Sequence, residues 1–252
     1  MSDAMETVDD DRTAGDGSTP DSPGARPASA RTSNAARARK PRKATAERRE
    51  EILQAAIRTF GSKGYHNGSL TEVAEQVGIT HAGVLHHFGS KDKLLIEVLE
   101  FRDKVDVEHL EGQHLPGGVD MFRHLVTTAR LNAARRGIVQ AYTVITAESV
   151  TDGHPAAPWA TNRFAGLRED LVDGLREMLR GAPDAPEDPS RPEQSDAALD
   201  VAASAVIAVM DGLQTQWLLD PDAVDLAGTT RFAIEAILAS VVAGADRPRP
   251  LD

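Results

Sequence analysis

Between Ser69 and Phe88 the sequence sets two helix-period apolar patterns on either side of a turn, and this short stretch limits the fold more than any other. Leu70, Val73, Ala74 and Val77 recur at i, i+3, i+4 and i+7, the spacing of one helix face. Ser69, with Glu72 three residues on, forms a capping box at its start. Gly78 and Ile79 break the pattern, and Thr80 is placed to cap a second helix carrying Val84, Leu85 and Phe88. Two short helices meeting at a steep angle need a small residue where they touch, a glycine in the turn and apolar anchors on both sides. Ala74, Gly78, Ile79 and Val84 supply these in order. The second helix of such a pair enters the DNA major groove with its N-terminal residues facing base edges. Here those residues are Thr80, His81, Ala82 and Gly83, with His86 and His87 one turn later. The small ones allow close approach, and Thr and His bring hydrogen-bonding groups.

The rest of the chain continues the helical period. Ile52, Leu53, Ala56, Ile57 and Phe60 predict a helix from Thr45 that Gly61 and Gly64 end. Ser90 can cap a helix running through Leu94, Leu95, Val98, Leu99 and Val105. Further helices are expected over Met121–Arg136, Ile138–Val150, Ala156–Arg180, Ser195–Leu219 and Asp222–Ala243. A proline-rich, acidic loop is expected over 181–194. No strand-like alternation of useful length occurs. Aromatic residues make up only 4%, which suits packed helices better than a β-sandwich. The fold class is therefore all-α: a three-helix N-terminal domain with a helix-turn-helix, then a larger helical domain.

Charge and composition narrow the function. A formal net charge of −11 argues against coating nucleic acid or anionic membrane with the whole surface. A local basic arm exists nonetheless: Arg26, Arg31, Arg37, Arg39, Lys40, Arg42 and Lys43 follow an acidic start. Residues 1–43 are poor in large apolar side chains and are expected to be disordered. The basic arm is either a solvated tail or a segment that follows phosphates. With no cysteine, disulfides and thiolate chemistry are excluded. The N-terminus does not resemble a secretory signal. The apolar run Val201–Met210, bounded by Asp200 and Asp211, falls far short of the roughly 20 residues that span a bilayer. A cytoplasmic chain with no membrane partner and no cofactor is expected. The domains are expected at 1–43 (tail), 44–92 (DNA-binding), 93–245 (ligand-binding and dimerisation) and 246–252 (flexible C-terminus).

The run from Leu70 to Leu95, LTEVAEQVGITHAGVLHHFGSKDKLL, resembles the TetR (tetracycline repressor) family, as does the preceding Ala55–Phe60 followed by Lys63-Gly64-Tyr65. Met210–Gln214 and Trp217–Pro221 resemble the family more weakly. The resemblance implies a palindrome-binding repressor of double-stranded DNA, a homodimer released by a small-molecule ligand. It also implies that Lys91 holds a phosphate, with Ser69, Thr71 and Arg48 as further backbone contacts. One departure stands out: the family often has a tyrosine where this chain has Leu85, so that hydroxyl contact is lost, and His86 or His87 could replace it.

In the family, the helices after the DNA-binding unit form a ligand pocket, and the last two pair with a second subunit. Candidates for the pocket are Phe122, Tyr142, Trp159, Arg163, Phe164, Met210, Gln214 and Trp217. His154, Pro155 and Asn162 could add a polar edge beside Trp159. The abundant small residues of the last two helices suit close approach, with Ala198, Ala202, Ala205, Val209, Ile234, Ile237, Leu238 and Val241 as interface candidates. Two other readings remain: regulation by a protein partner, and a helical metal enzyme. For the enzyme, Glu111-Gly112-Gln113-His114 matches one Glu-x-x-His where di-metal sites use two. No Gly-rich phosphate loop, Gly-x-Ser-x-Gly or His-Glu-x-x-His motif is present. Neither a catalytic nor a metal site is expected.

Overall fold

The structure, a computed structural model, describes residues 32–110, 115–181 and 194–244, with side chains from residue 44 onward. The expectations for residues 1–31, Glu111–His114, most of the loop at 181–194 and the C-terminus at 246–252 fall outside the described residues. By contacts the chain divides into two units, Met1–Ala44 and Thr45–Asp252.

Among the described residues nine helices follow one another: α1 (Thr32–Asn67), α2 (Leu70–Val77), α3 (His81–Phe88), α4 (Lys91–Val107), α5 (Gly118–Asn132), α6 (Arg136–Glu148), α7 (Ala157–Arg180), α8 (Asp196–Leu219) and α9 (Leu226–Ala243). α1 begins at Thr32, inside the stretch expected to be disordered, where Ala, Arg and Lys favour helix. It also runs past Gly61, which lies inside the helix with its Cα facing the Ala141 backbone: a Cβ there would sit 3.1 Å from Ala141 N. The break comes instead at Gly64, with φ 72° and ψ 178°. α9 starts later than expected because Asp225, not Asp222, caps it by accepting from Gly228 N at 3.0 Å. α9 is also a longer apolar segment than the Val201–Met210 run, with a mean hydropathy of 1.5 over 18 residues, and by length and composition alone it could cross a bilayer. It packs on α5 and α8.

Side chains seal each turn where the sequence places them. Ser69 Oγ accepts from Glu72 N at 3.1 Å, Thr80 Oγ1 from Gly83 N at 3.1 Å, and Ser90 Oγ from Lys93 N at 3.1 Å. Each cap satisfies one of the N–H groups a helix start leaves open, about 1 kcal/mol apiece. Gly78 ends α2 with φ 70°, a left-handed conformation that spares a side chain its steric cost.

One buried cluster joins α1–α3 to the rest of the molecule. Ile52, Ala56, Phe60, Val73, Val84, Phe88, Leu95 and Leu99 share it with Ala141 and Ile145 of α6 and with Ala156. A second cluster lies among α5, α7, α8 and α9 and includes Met121, Phe122, Leu171, Leu175, Val206 and Ile234. A third, smaller one holds Ala129, Val139, Trp217 and Leu226.

Candidate functional site

The caps fix α3 with its N-terminal half toward solvent. Thr80, His81, Ala82 and His86 are exposed, while Val84 and Phe88 anchor the opposite face in the core. Gly83, Leu85 and His87 lie between, and Leu85 packs against the core. Arg49 of α1 holds the far end of α3: it donates to the His87 carbonyl, pairs with Glu97 of α4 and lies 4.2 Å over the Phe88 ring. Arg48 donates to Val77 O at 3.1 Å and pairs with Glu51, so it fastens α1 to the end of α2. Burial, then the charges of His86, Arg49 and Arg48, lower the His87 pKa and favour its neutral ring.

At the start of α2, Ser69 is half-buried and Thr71 exposed. Glu72 completes the capping box from the other side. Its pKa is lowered chiefly by Lys63, with Ser69 N–H adding to the effect. Lys91 opens α4 beside them. Its ammonium donates to His66 O at 3.3 Å and lies 4.5 Å over the Tyr65 ring. Burial lowers its pKa against the pull of Asp92 and Glu148. An arriving phosphate would act the other way and favour the charged form.

Behind this surface Glu148, the last residue of α6, grips the break in α1. Its Oε2 accepts from Tyr65 N at 2.7 Å, and the space a Gly64 Cβ would need is filled by its carboxylate. His154, fully buried, points Nε2 at the same carboxylate from 3.8 Å. Burial lowers the His154 pKa, with Glu148 opposing and His66 reinforcing. The Tyr65 hydroxyl bonds Asp92, and burial followed by Asp92 pushes its pKa up to about 12.

A cavity of about 160 Å³ lies among α4, α5, α6, α7 and α8. Of the pocket candidates, Tyr142, Arg163, Met210 and Gln214 line it. The other pocket candidates do not. Phe122 fills the second core cluster, and Trp217 the third, under Arg136. Trp159 stands edge-on to Tyr142 at 6.4 Å, one layer outside. Phe164 lines an open groove between α6, α7 and α8 that adjoins the cavity, with Tyr142 and Asp211 lining both. Of the suggested polar edge, His154 belongs to the α1–α6 joint and Asn162 is exposed.

Sequence reasoning missed the charged wall of the cavity. Arg102, Asp103 and Asp106 of α4, His124 and Thr128 of α5, and Asp211 of α8 all face it. The signal was present: Arg102 and Asp106 continue the buried stripe Leu95, Leu99, so two charges fall on an inward face. Arg102 also lies 4.2 Å over Tyr142. Burial raises the Asp211 pKa despite Arg102, Arg163 and the Tyr142 hydroxyl.

The expected interface residues split. Ala202, Ile234 and Val241 are buried within the chain's own core, and Ile237 and Leu238 pack on its rim. Ala198, Ala205 and Val209 are half-buried. The outward stripe lies one helical step away: Val201 (70% exposed), Ala208, Gly212 and Leu219 (83%) on α8, and Phe232 (74%), Ala239 and Val242 on α9. The same two helices thus carry an inner and an outer apolar face.

Residues 52–98 match the family model for bacterial regulatory proteins of the tetR family. The chain is 28% identical over 189 residues to the probable transcriptional regulator ArpR of Pseudomonas putida, covering 72% of this chain and 85% of that one. It is 27% identical to the regulator TtgR, also of Pseudomonas putida, over the same shares. Among solved structures, SmeT, the repressor of the Stenotrophomonas maltophilia multidrug efflux pump SmeDEF, superposes with a TM-score of 0.59 at 20% identity. The match covers 81% of this chain and 97% of that one. FadR of Bacillus subtilis, solved with stearoyl-CoA, gives 0.57 at 16% identity over 77% and 99%. With the capped helix pair, the helical body behind it and these likenesses in agreement, the chain carries a tetR-family regulatory segment over residues 52–98 and is similar to bacterial regulators over most of its length.

Proposed function

We propose that the protein is a transcriptional repressor that binds an inverted-repeat operator on double-stranded DNA as a homodimer and releases it when a small molecule fills the cavity. The observation that carries this reading is the exposed N-terminal half of α3, with His81, Ala82 and His86 presented together and anchored from behind by Val84, Phe88 and Arg49. His81 and Thr80 read base edges. Lys91, Ser69 and Thr71 hold phosphates beside them, as a helix N-terminus favours an anion. The headpiece is taken as residues 44–92 and the sensing and pairing domain as 93–245, in a cytoplasmic protein that catalyses no reaction.

Release needs a link between cavity and headpiece, and two helices offer one. α4 carries Lys91 at its start and Arg102–Asp106 in the cavity wall. α6 carries Tyr142 in the wall and Glu148 on Tyr65 N, about 9 Å apart along the helix at 1.5 Å per residue. A ligand shifts the balance only as far as it prefers the DNA-incompetent arrangement, and operator DNA must weaken its binding by the same factor. The relatives point the same way: SmeT is described as a repressor and also in a triclosan complex.

Two copies follow from energetics. Each good bidentate base contact discriminates by about 1–3 kcal/mol, whereas specific regulators need about 4–10 kcal/mol over non-specific binding. The outward stripe of α8 and α9 supplies an apolar, small-residue surface of the kind single chains rarely leave in water. Control by a protein partner leaves the cavity without a role and is the weaker reading. The test is to recover genomic fragments retained by purified protein. An inverted repeat with half-sites about one helical turn apart is expected. A selected site without a repeat, bound by a monomer, refutes the proposal.

A further inference from the structure

The polar groups around the cavity do not balance, and the imbalance has a sign. Its wall holds two guanidiniums, Arg102 and Arg163, and three carboxylates, Asp103, Asp106 and Asp211. Arg102 Nη1 lies 3.1 Å from both Asp103 Oδ1 and Asp106 Oδ2. Arg163 Nε lies 3.3 Å from Asp103 Oδ1. Arg102 is thus taken up by the carboxylates of α4, whereas Arg163 Nε lies close to Asp103 without making a hydrogen bond, and both guanidiniums also act on Asp211. Asp211, across the cavity on α8, receives the Tyr142 hydroxyl at 3.4 Å, too long for a strong bond. His124 does not restore the balance, since burial and His109 disfavour its charged form more than Asp106 supports it.

Gln214 sharpens the deficit. It is 3% exposed, yet its Oε1 has no hydrogen-bond partner. A buried acceptor left without a donor destabilises the fold until something supplies one. Asp211 and Gln214 stand three residues apart on α8, on neighbouring positions of one helix face. That face sets the Asp211 carboxylate beside an acceptor left without a donor. Leu125, Leu167, Ile207 and Met210 supply the apolar remainder of the wall. A cavity of about 150 Å³ is enough to hold one benzene ring.

We propose that the cavity takes a compact organic cation, a protonated amine or amidinium on a body about the size of one aromatic ring, its charged group held between Asp211 and Gln214. The inference rests on the sensor reading above and gives that sensor a ligand chemistry. The N–H donors of the cation meet the Asp211 carboxylate and the orphaned Gln214 oxygen together, and the ring lies against the leucines, Ile207 and Met210.

The test uses the full-length protein and three probes of nearly one shape: benzylammonium, benzyl alcohol and benzoate. Calorimetric titration at neutral pH should rank them in that order, with benzoate not binding. Asp211→Asn should cost benzylammonium at least about tenfold in affinity, the scale of a lost charged hydrogen bond. It should weaken benzyl alcohol by a much smaller factor, and an unchanged circular dichroism spectrum reports that the variant is folded. Gln214→Leu should weaken benzylammonium as well, by a smaller factor. Benzoate binding best, or no preference for the cation, overturns the proposed chemistry and leaves the sensor reading standing. Failure of all three probes also overturns it. Failure of the sensor reading is separate: there, benzylammonium binds but its affinity is indifferent to operator DNA.

Discussion

Replacing Gly64 with alanine tests the joint between α1 and α6 with a single methyl group. The residue sits at φ 72° and ψ 178°, a region that costs residues other than glycine about 1–3 kcal/mol. The methyl would also take the place of the Glu148 carboxylate, which accepts from Tyr65 N at 2.7 Å. Losing that charged hydrogen bond adds about 1.5–3 kcal/mol. Together the loss is about 2.5–6 kcal/mol, a large part of the roughly 5–15 kcal/mol that holds a typical domain folded. For a chain of this size each kcal/mol lowers Tm by about 2–4 °C, so a fall of roughly 5–24 °C is expected in a thermal melt followed by circular dichroism. Operator affinity, read by fluorescence anisotropy below the new Tm, should fall too, because Tyr65 lies under Lys91. A melt within about 2 °C of wild type, the shift of a single kcal/mol or less, with unchanged affinity would show that the Gly64 segment re-seats freely, and the reasoning about the joint would be wrong.

Lys91→Ala should weaken binding to operator and random DNA alike and reduce the salt slope by about 1, whereas His81→Ala should relax preference at one position per half-site; equal losses on both DNAs for His81→Ala refute its role as a base reader. The His87, His124 and His154 pKa values are lowered in the fold, so at acid pH the unfolded chain binds more protons. Stability should therefore be greatest above the ordinary histidine value of 6.5 and fall as pH drops below it, with His154→Gln flattening the Tm profile; a profile level down to about pH 5 contradicts this. Phe232→Asp, on the outward stripe, should yield folded monomers in sedimentation, while Ile234→Asp, inside the chain's own core, should unfold the protein. Equal melting losses for the two would place Phe232 in the core as well.

What the sequence made legible was local. Ser69, Thr80 and Ser90 cap the helices they precede because a cap depends only on the next three residues. Val84 and Phe88 turn inward because their spacing leaves one face for the core. What it hid was the partner of each buried face. Arg102 and Asp106 follow the apolar stripe of α4 inward, and only the fold brings Asp211 and Gln214 opposite them. Trp159 and Trp217 looked like pocket residues by size, yet one packs a layer outside Tyr142 and the other closes a small core with Leu226. Glu148 carried no signal at all, since its grip on Tyr65 spans 83 residues. Gly61 looked like a helix end because glycine ends many helices; here it lets α6 approach instead.

The shared core under α1–α3 also bears on how the protein is made. Ile52, Phe60, Val84 and Leu95 leave the ribosome well before Ala141, Ile145 and Ala156, which complete the same cluster. At about 5–20 residues per second, the roughly fifty residues between them take several seconds to synthesise. Throughout that interval the reading head lacks part of its floor and is correspondingly unstable. A prematurely terminated polypeptide ending before α6 would lack Ala141, Ile145 and Ala156 from this core, so its head would be less stable than that of the full chain.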